Sequence, residues 1–171
     1  MRRTGLVAVL LSCAVIRCPC STDADALPET DADALLREAR AAANRGDATS
    51  ADALLQSAAK SDAHAAEALF LRGNVHAFLT RQLAEAEQFY KQSLHLNSSR
   101  WEPSYFLGKM LSGQQRWAEA VEALSAAAAL APTNAAVLQE LGSAHGMIGA
   151  PSSWDAASSA LIRAAALAHG T

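Results

Sequence analysis

The groups this chain offers to chemistry are three cysteines, five histidines and seventeen carboxylates. Cys13, Cys18 and Cys20 all lie within the first 20 residues. Cys18-Pro19-Cys20 has the close spacing of a redox or metal-binding pair, yet small residues there also suit the end of a cleaved export signal, and we carry the signal forward. His64, His76, His95, His145 and His169 lack the paired spacing that holds a metal on one helix face. His76 and His145 are expected to pack in a core. Glu85, Glu87, Glu119 and Glu122 recur as a solvated helix face does, not as an acid/base pair. The segments GNVHAFLTR (Gly73–Arg81) and GSAHGMIG (Gly142–Gly149) hold glycines but follow no strand, so neither is a phosphate loop. Asn97-Ser98-Ser99 is a glycosylation sequon, meaningful if the chain enters a eukaryotic secretory pathway. No catalytic constellation, metal set or cofactor site emerges, and the expectation is a protein that is not an enzyme.

The elements that must position any site are helices. Half of the residues are apolar (51%), only 5% are aromatic, and alanine supplies much of the remainder. Alanine is the best helix former and β-branched residues are scarce, so a nearly all-helical domain is expected. The formal net charge is −3, and the first 22 residues hold three arginines (Arg2, Arg3, Arg17) and no acid. Without that leader, 11 basic residues face 17 acidic ones. An acidic domain with no basic stripe is a poor partner for nucleic acid.

In the leader, two arginines precede the apolar stretch Gly5–Ile16, 12 residues long. That is short for a membrane span and suits the hydrophobic part of a secretory signal cut after Cys20. The expected organisation is a leader over 1–20, an acidic linker over 21–31 and a helical domain over 32–169. No membrane insertion is expected once the leader is removed. Export to the periplasm or the secretory pathway is the first localisation reading. Mitochondrial or plastid import is an alternative, given arginines without acids, and so is a lipoprotein signal at LLSC (Leu10–Cys13). Thr30 and Asp33 form a capping-box pattern that starts a helix near Asp31.

Four segments, 32–65, 66–100, 101–134 and 135–169, line up as repeats. Small residues recur at Ala39, Gly73, Gly108 and Gly142, spaced 34, 35 and 34, and again at Ala51, Ala86, Ala120 and Ala157, spaced 35, 34 and 37. The excess residues are expected in turns, one near Thr80 to Gln82 and about three in GAPSSW (Gly149–Trp154). Two small-residue markers with one period suit antiparallel helix pairs whose backbones approach closely where they cross. Leu107, Leu111 and Leu124 would fill the space around the crossing in the third unit. Trp117 and Trp154 would open second helices and cover the turn before them, and Pro132 would stop a helix by withholding its N–H. An alanine-rich bundle is the plainer alternative, but a bundle needs no matched small residues at a long fixed period.

The third unit (Leu107-Gly108, Leu111, Ala120, Leu124, Ala127, Pro132) and the fourth (Leu138, Leu141-Gly142, His145, Gly149, Ala157, Leu161, Ala164) resemble the tetratricopeptide repeat. The second unit keeps Leu69, Gly73, His76, Ala86 and Tyr90 but has Arg72 where leucine is usual, and the first keeps Leu35, Gly46-Asp47, Ala51, Leu55 and Ala58 but has Glu38-Ala39 in place of Leu-Gly. The resemblance covers about residues 32–169 and implies an all-α, right-handed α-solenoid of helix-turn-helix units. It also implies a concave groove, lined by the first helix of each unit, that holds a partner peptide or helix. Carried over residue by residue, that groove takes Arg37, Arg40 and Asn44 from the first unit and Phe70, Asn74 and Phe78 from the second. Tyr105, Phe106 and Lys109 follow from the third, and Gln139, Ser143 and Met147 from the fourth. The members that grip a peptide carboxylate do so with lysine, asparagine and arginine side chains. Here those places hold Leu36, Arg40, Leu71, Glu102 and Phe106, which argues against a chaperone-tail receptor.

The resulting expectation is an interaction scaffold or adaptor. Two alternatives stand beside it. The chain could be the repeat portion of a larger repeat-bearing enzyme such as a glycosyltransferase, since no polar capping helix follows the fourth unit. It could also be a self-associating structural protein, for the last helix would present Leu161 and Ile162 as an apolar face suited to a weak homodimer.

Overall fold

The structure is a computed structural model that describes residues 31–149 and 151–169. The leader and most of the acidic linker therefore lie outside the described residues, as does Thr30 of the capping-box pattern. Among the described residues there is no strand. These residues form eight successive α-helices: α1 (Asp31–Asn44), α2 (Ala48–Ala58), α3 (Ala65–Asn74), α4 (Leu83–Leu96), α5 (Trp101–Gly113), α6 (Trp117–Leu130), α7 (Ala135–Ile148) and α8 (Pro151–His169). Between α3 and α4 the chain continues as a π-helical segment, Val75–Thr80. Odd helices pair with the even helix that follows, and each pair stacks on the next through α2 on α3, α4 on α5 and α6 on α7. The architecture is a right-handed α-solenoid of tetratricopeptide-type hairpins.

Side-chain size explains the hairpins. A methyl group placed on Gly108 would lie 2.6 Å from Leu124 Cγ and 3.2 Å from the Ala120 carbonyl oxygen. On Gly142 it would lie 2.7 Å from Leu161 Cγ and 3.1 Å from the Ala157 oxygen, and on Gly73 it would lie 2.5 Å from the Tyr90 ring. Gly108 and Gly142 therefore each face the small residue of the partner helix and the large side chain one turn beyond it, and Gly73 faces the large side chain, Tyr90. Ala39, Ala51, Ala86 and Ala120 are almost fully buried, and so are the large partners Leu55, Tyr90 and Leu124. Close approach of two backbones is the reason for the matched small residues, because a larger side chain would hold the helices apart.

One left-handed residue sits in each hairpin turn: Gly46 (φ 81°), Arg81 (φ 61°), Gln115 (φ 62°) and Gly149 (φ 71°). Glycine takes this conformation without strain, so two of the four turns use it. Asp47 then caps α2 by accepting from the Ser50 N–H at 3.0 Å. Asn134 caps α7 by accepting from Ala136 and Val137. Such caps satisfy donors that the first helical turn leaves open.

These turn residues locate the surplus of the second unit, and they correct the expectation that it falls in a turn. From small residue to turn residue the interval is seven in three units and eight from Gly73 to Arg81. The extra residue thus lies within Val75–Thr80, where the helix takes it up as wider π-helical turns. The surplus of the fourth unit is also helical. The other second helices begin three residues before their small residue, at Ala48, Leu83 and Trp117, whereas α8 begins at Pro151, six before Ala157. Trp154 consequently sits inside the helix and is 61% exposed instead of covering the turn, while Trp117 is half-buried at the start of α6. In the third unit α6 ends at Leu130, just ahead of Pro132.

Candidate functional site

The first helices, α1, α3, α5 and α7, carry the residues singled out for a groove. The structure brings one set of them together. Arg40, Asn44, Asn74 and Phe78 line a cavity of about 250 Å³, floored by Ala39, Leu55 and Leu71. Phe78 and Lys109 line a second cavity of about 300 Å³, with Phe106 and Met110 on its wall. Phe78 belongs to both and stands 53% exposed. Its ring meets Phe106 edge-on at 6.0 Å, and Phe106 also contacts Tyr105 at 5.3 Å and Phe70 at 5.6 Å. Arrangements of this kind add modestly to the area each ring buries.

The remaining groove positions have different surroundings. Phe70 is 8% exposed and packs among Tyr90 and Leu107, beneath the groove surface. Tyr105 is half-buried with the Lys109 ammonium 5.9 Å from its ring, and Lys109 lies 3.6 Å from Glu140. Arg40 pairs with Glu67. Asn74 accepts a hydrogen bond from the Tyr90 hydroxyl at 2.8 Å, so it also satisfies a buried phenol whose ionisation burial pushes up. Arg37, Gln139, Ser143 and Met147 are exposed, Ser143 donating to the Gln139 carbonyl at 2.9 Å. Neither cavity includes Gln139, Ser143 or Met147. Among the positions for carboxylate recognition, Leu36 is core and Glu102 accepts from Arg100 at 3.2 Å.

Two polar clusters were not anticipated. Arg72, which replaces the usual leucine, donates to both carboxylate oxygens of Asp52 on α2, at 2.7 and 3.1 Å. Its guanidinium lies 4.3 Å from the centre of the Phe89 ring. His76 joins this cluster through Asp52 at 3.3 Å and Gln82 at 3.1 Å, so it is a hydrogen-bonding residue as well as a packing one, its ring 5.0 Å from Phe89. Burial raises the Asp52 pKa, but the hydrogen bond and charge of Arg72, helped by His76, outweigh it and leave the carboxyl below its ordinary value. The second cluster ties two units together. Arg116, at the start of α6, donates to Glu87 on α4 at 2.7 Å and also pairs with Glu119, while Lys91 donates to Glu87 at 2.6 Å. Glu87 is thus partly buried and ion-paired, which corrects its placement on a solvated face, whereas Glu85, Glu119 and Glu122 are exposed. Hydrogen bonds from Arg116 and Lys91 hold its carboxyl below the usual range. In the fourth unit His145 is half-buried, and its Nδ1 lacks a hydrogen-bond partner among the described residues.

Asn97 is exposed at the end of α4, and its side chain accepts the Ser99 N–H at 3.0 Å. Among the described residues no three His, Asp, Glu or Cys side chains group as a metal site, and no helix is long and apolar enough to cross a membrane.

No family model matches the chain, and no curated protein matches its sequence. Solved structures do share the fold. A crystal structure of MamA superposes with a TM-score of 0.71 at 20% identity, over 82% of this chain and 80% of that one. MamA from Desulfovibrio magneticus RS-1, in a form running from residue 41 to its end, gives 0.68 at 23% identity, over 81% and 77%. At such identities the likeness speaks to the fold alone.

Proposed function

We propose that this protein is a non-enzymatic interaction scaffold that holds a segment of a partner protein in its concave groove. One observation carries the proposal: Phe78 projects, half exposed, between two cavities whose walls combine apolar side chains with Arg40, Arg81 and Lys109. A large ring beside concave apolar surface, rimmed by cations, is the kind of place that anchors a partner side chain. The test is affinity capture on the protein, comparing Phe78→Ala and Lys109→Glu with a control on the exposed face of α4, Gln92→Ala. A partner captured by the wild type and the control, and lost by both groove variants at unchanged helix content, is the expected result. A partner retained by both variants would place the interaction elsewhere.

Self-association is a second reading, favoured by exposed apolar side chains on α8. Trp154 is 61% exposed and Ile162 68%, while Leu161, which packs on Gly142 of α7, is still 42% exposed. We also infer export from the leader, to be read by N-terminal sequencing of the mature protein, which should begin at Ser21.

A further inference from the structure

We propose that the groove selects an acidic segment bearing two apolar anchors, one seated on each side of Phe78. This rests on the groove reading above and specifies the chemistry of its occupant. Phe78 is the partition: it lines both cavities, and it lies within the π-helical segment that takes up the surplus residue of the second unit. Each cavity has its own apolar floor, Leu55 and Leu71 in the first, Tyr90 and Met110 in the second. A ligand with a single anchor would fill one and leave the other to water, losing the apolar burial that the second can supply.

The charge of the occupant follows from the walls. Arg40 borders the first cavity, Arg81 and Lys109 border the second, and no carboxylate lines either. This runs against the chain as a whole, in which acids outnumber bases 17 to 14. Arg40 and Lys109 have acidic neighbours in Glu67 and Glu140, outside both cavities. Arg81 is exposed and makes no ion pair among the described residues. Carboxylates flanking the anchors would meet these three cations, and complementarity of this kind speeds encounter and rejects basic competitors.

A random peptide library displayed on phage and selected against the full chain provides the probe. The expected enrichment is for peptides of net negative charge with two apolar positions at constant spacing. Their synthetic forms should bind Phe78→Ala about tenfold more weakly. Arg81→Glu should weaken them comparably, and added salt should weaken them further. Enriched peptides with no acidic bias, or with undiminished affinity for Phe78→Ala, would overturn the acidic two-anchor occupant while leaving the groove in place. Peptides whose binding ignores Phe78, Arg81 and Lys109 together would overturn the groove reading as well.

Discussion

At the scale of single residues, the fold depends on what is missing from a few side chains. Gly108 faces Leu124, which is fully buried and cannot swing aside, and the Ala120 carbonyl behind it. Gly108→Ala should therefore cost about 1–3 kcal/mol, read as a lower midpoint of thermal unfolding by circular dichroism. Gly146, also helical, has nothing within 4 Å of a Cβ, so Gly146→Ala should raise the midpoint by the equivalent of about 0.5–1 kcal/mol. Should both variants shift the same way, close approach would not be what the crossing glycine supplies. Charge gives a second residue-scale test. The Asp52 carboxyl has a folded-state pKa below its unfolded one, so its contribution is present above about pH 4 and is lost as pH falls through the lower folded value. Asp52→Asn should cost about 1–2 kcal/mol at neutral pH. It should also flatten the decline in stability on acidification, measured by denaturant unfolding across that range. The sequence announced the crossing residues because both partners recur at one period. It was silent on Arg72, since an arginine in a leucine position acquires meaning only from Asp52, 20 residues earlier on another helix.

At the scale of elements, the turns repeat more regularly than their residues do. Gln115 adopts the left-handed conformation that Gly46 and Gly149 adopt in their own turns. An ordinary side chain there costs about 1 kcal/mol, so Gln115→Gly should stabilise the protein by up to that amount in thermal or denaturant unfolding. The helix pairs were legible from the markers, but the fate of the surplus residues was not. A one-residue excess reads in sequence as a longer loop. The helix keeps it because Ala77 on one side and Phe78 on the other are held by packing against the core and by the Phe106 ring. Likewise the three extra residues before Trp154 lengthen α8, since proline is well suited to the first turn of a helix and Pro151 opens it. The groove was legible only as a register of positions along α1, α3, α5 and α7. Its division into two cavities, and the presence of Arg81 on its wall, depend on how the π-helical segment ends.

At the scale of the whole molecule, each unit rests on its neighbours, and α8 packs on α7. Ile162 and Trp154 are exposed on α8. Sedimentation over a range of concentrations should show weak, reversible self-association, and Ile162→Asp should return the protein to a monomer at every concentration. A wild type that sediments as a strict monomer would dismiss the self-association reading. The π-helical segment has the widest consequence. Because the helix absorbs the surplus locally, the hairpins before and after it stay in step. An array of this kind can therefore accommodate an odd residue inside a helix, reshaping the surface beside it without breaking the rhythm of the stack.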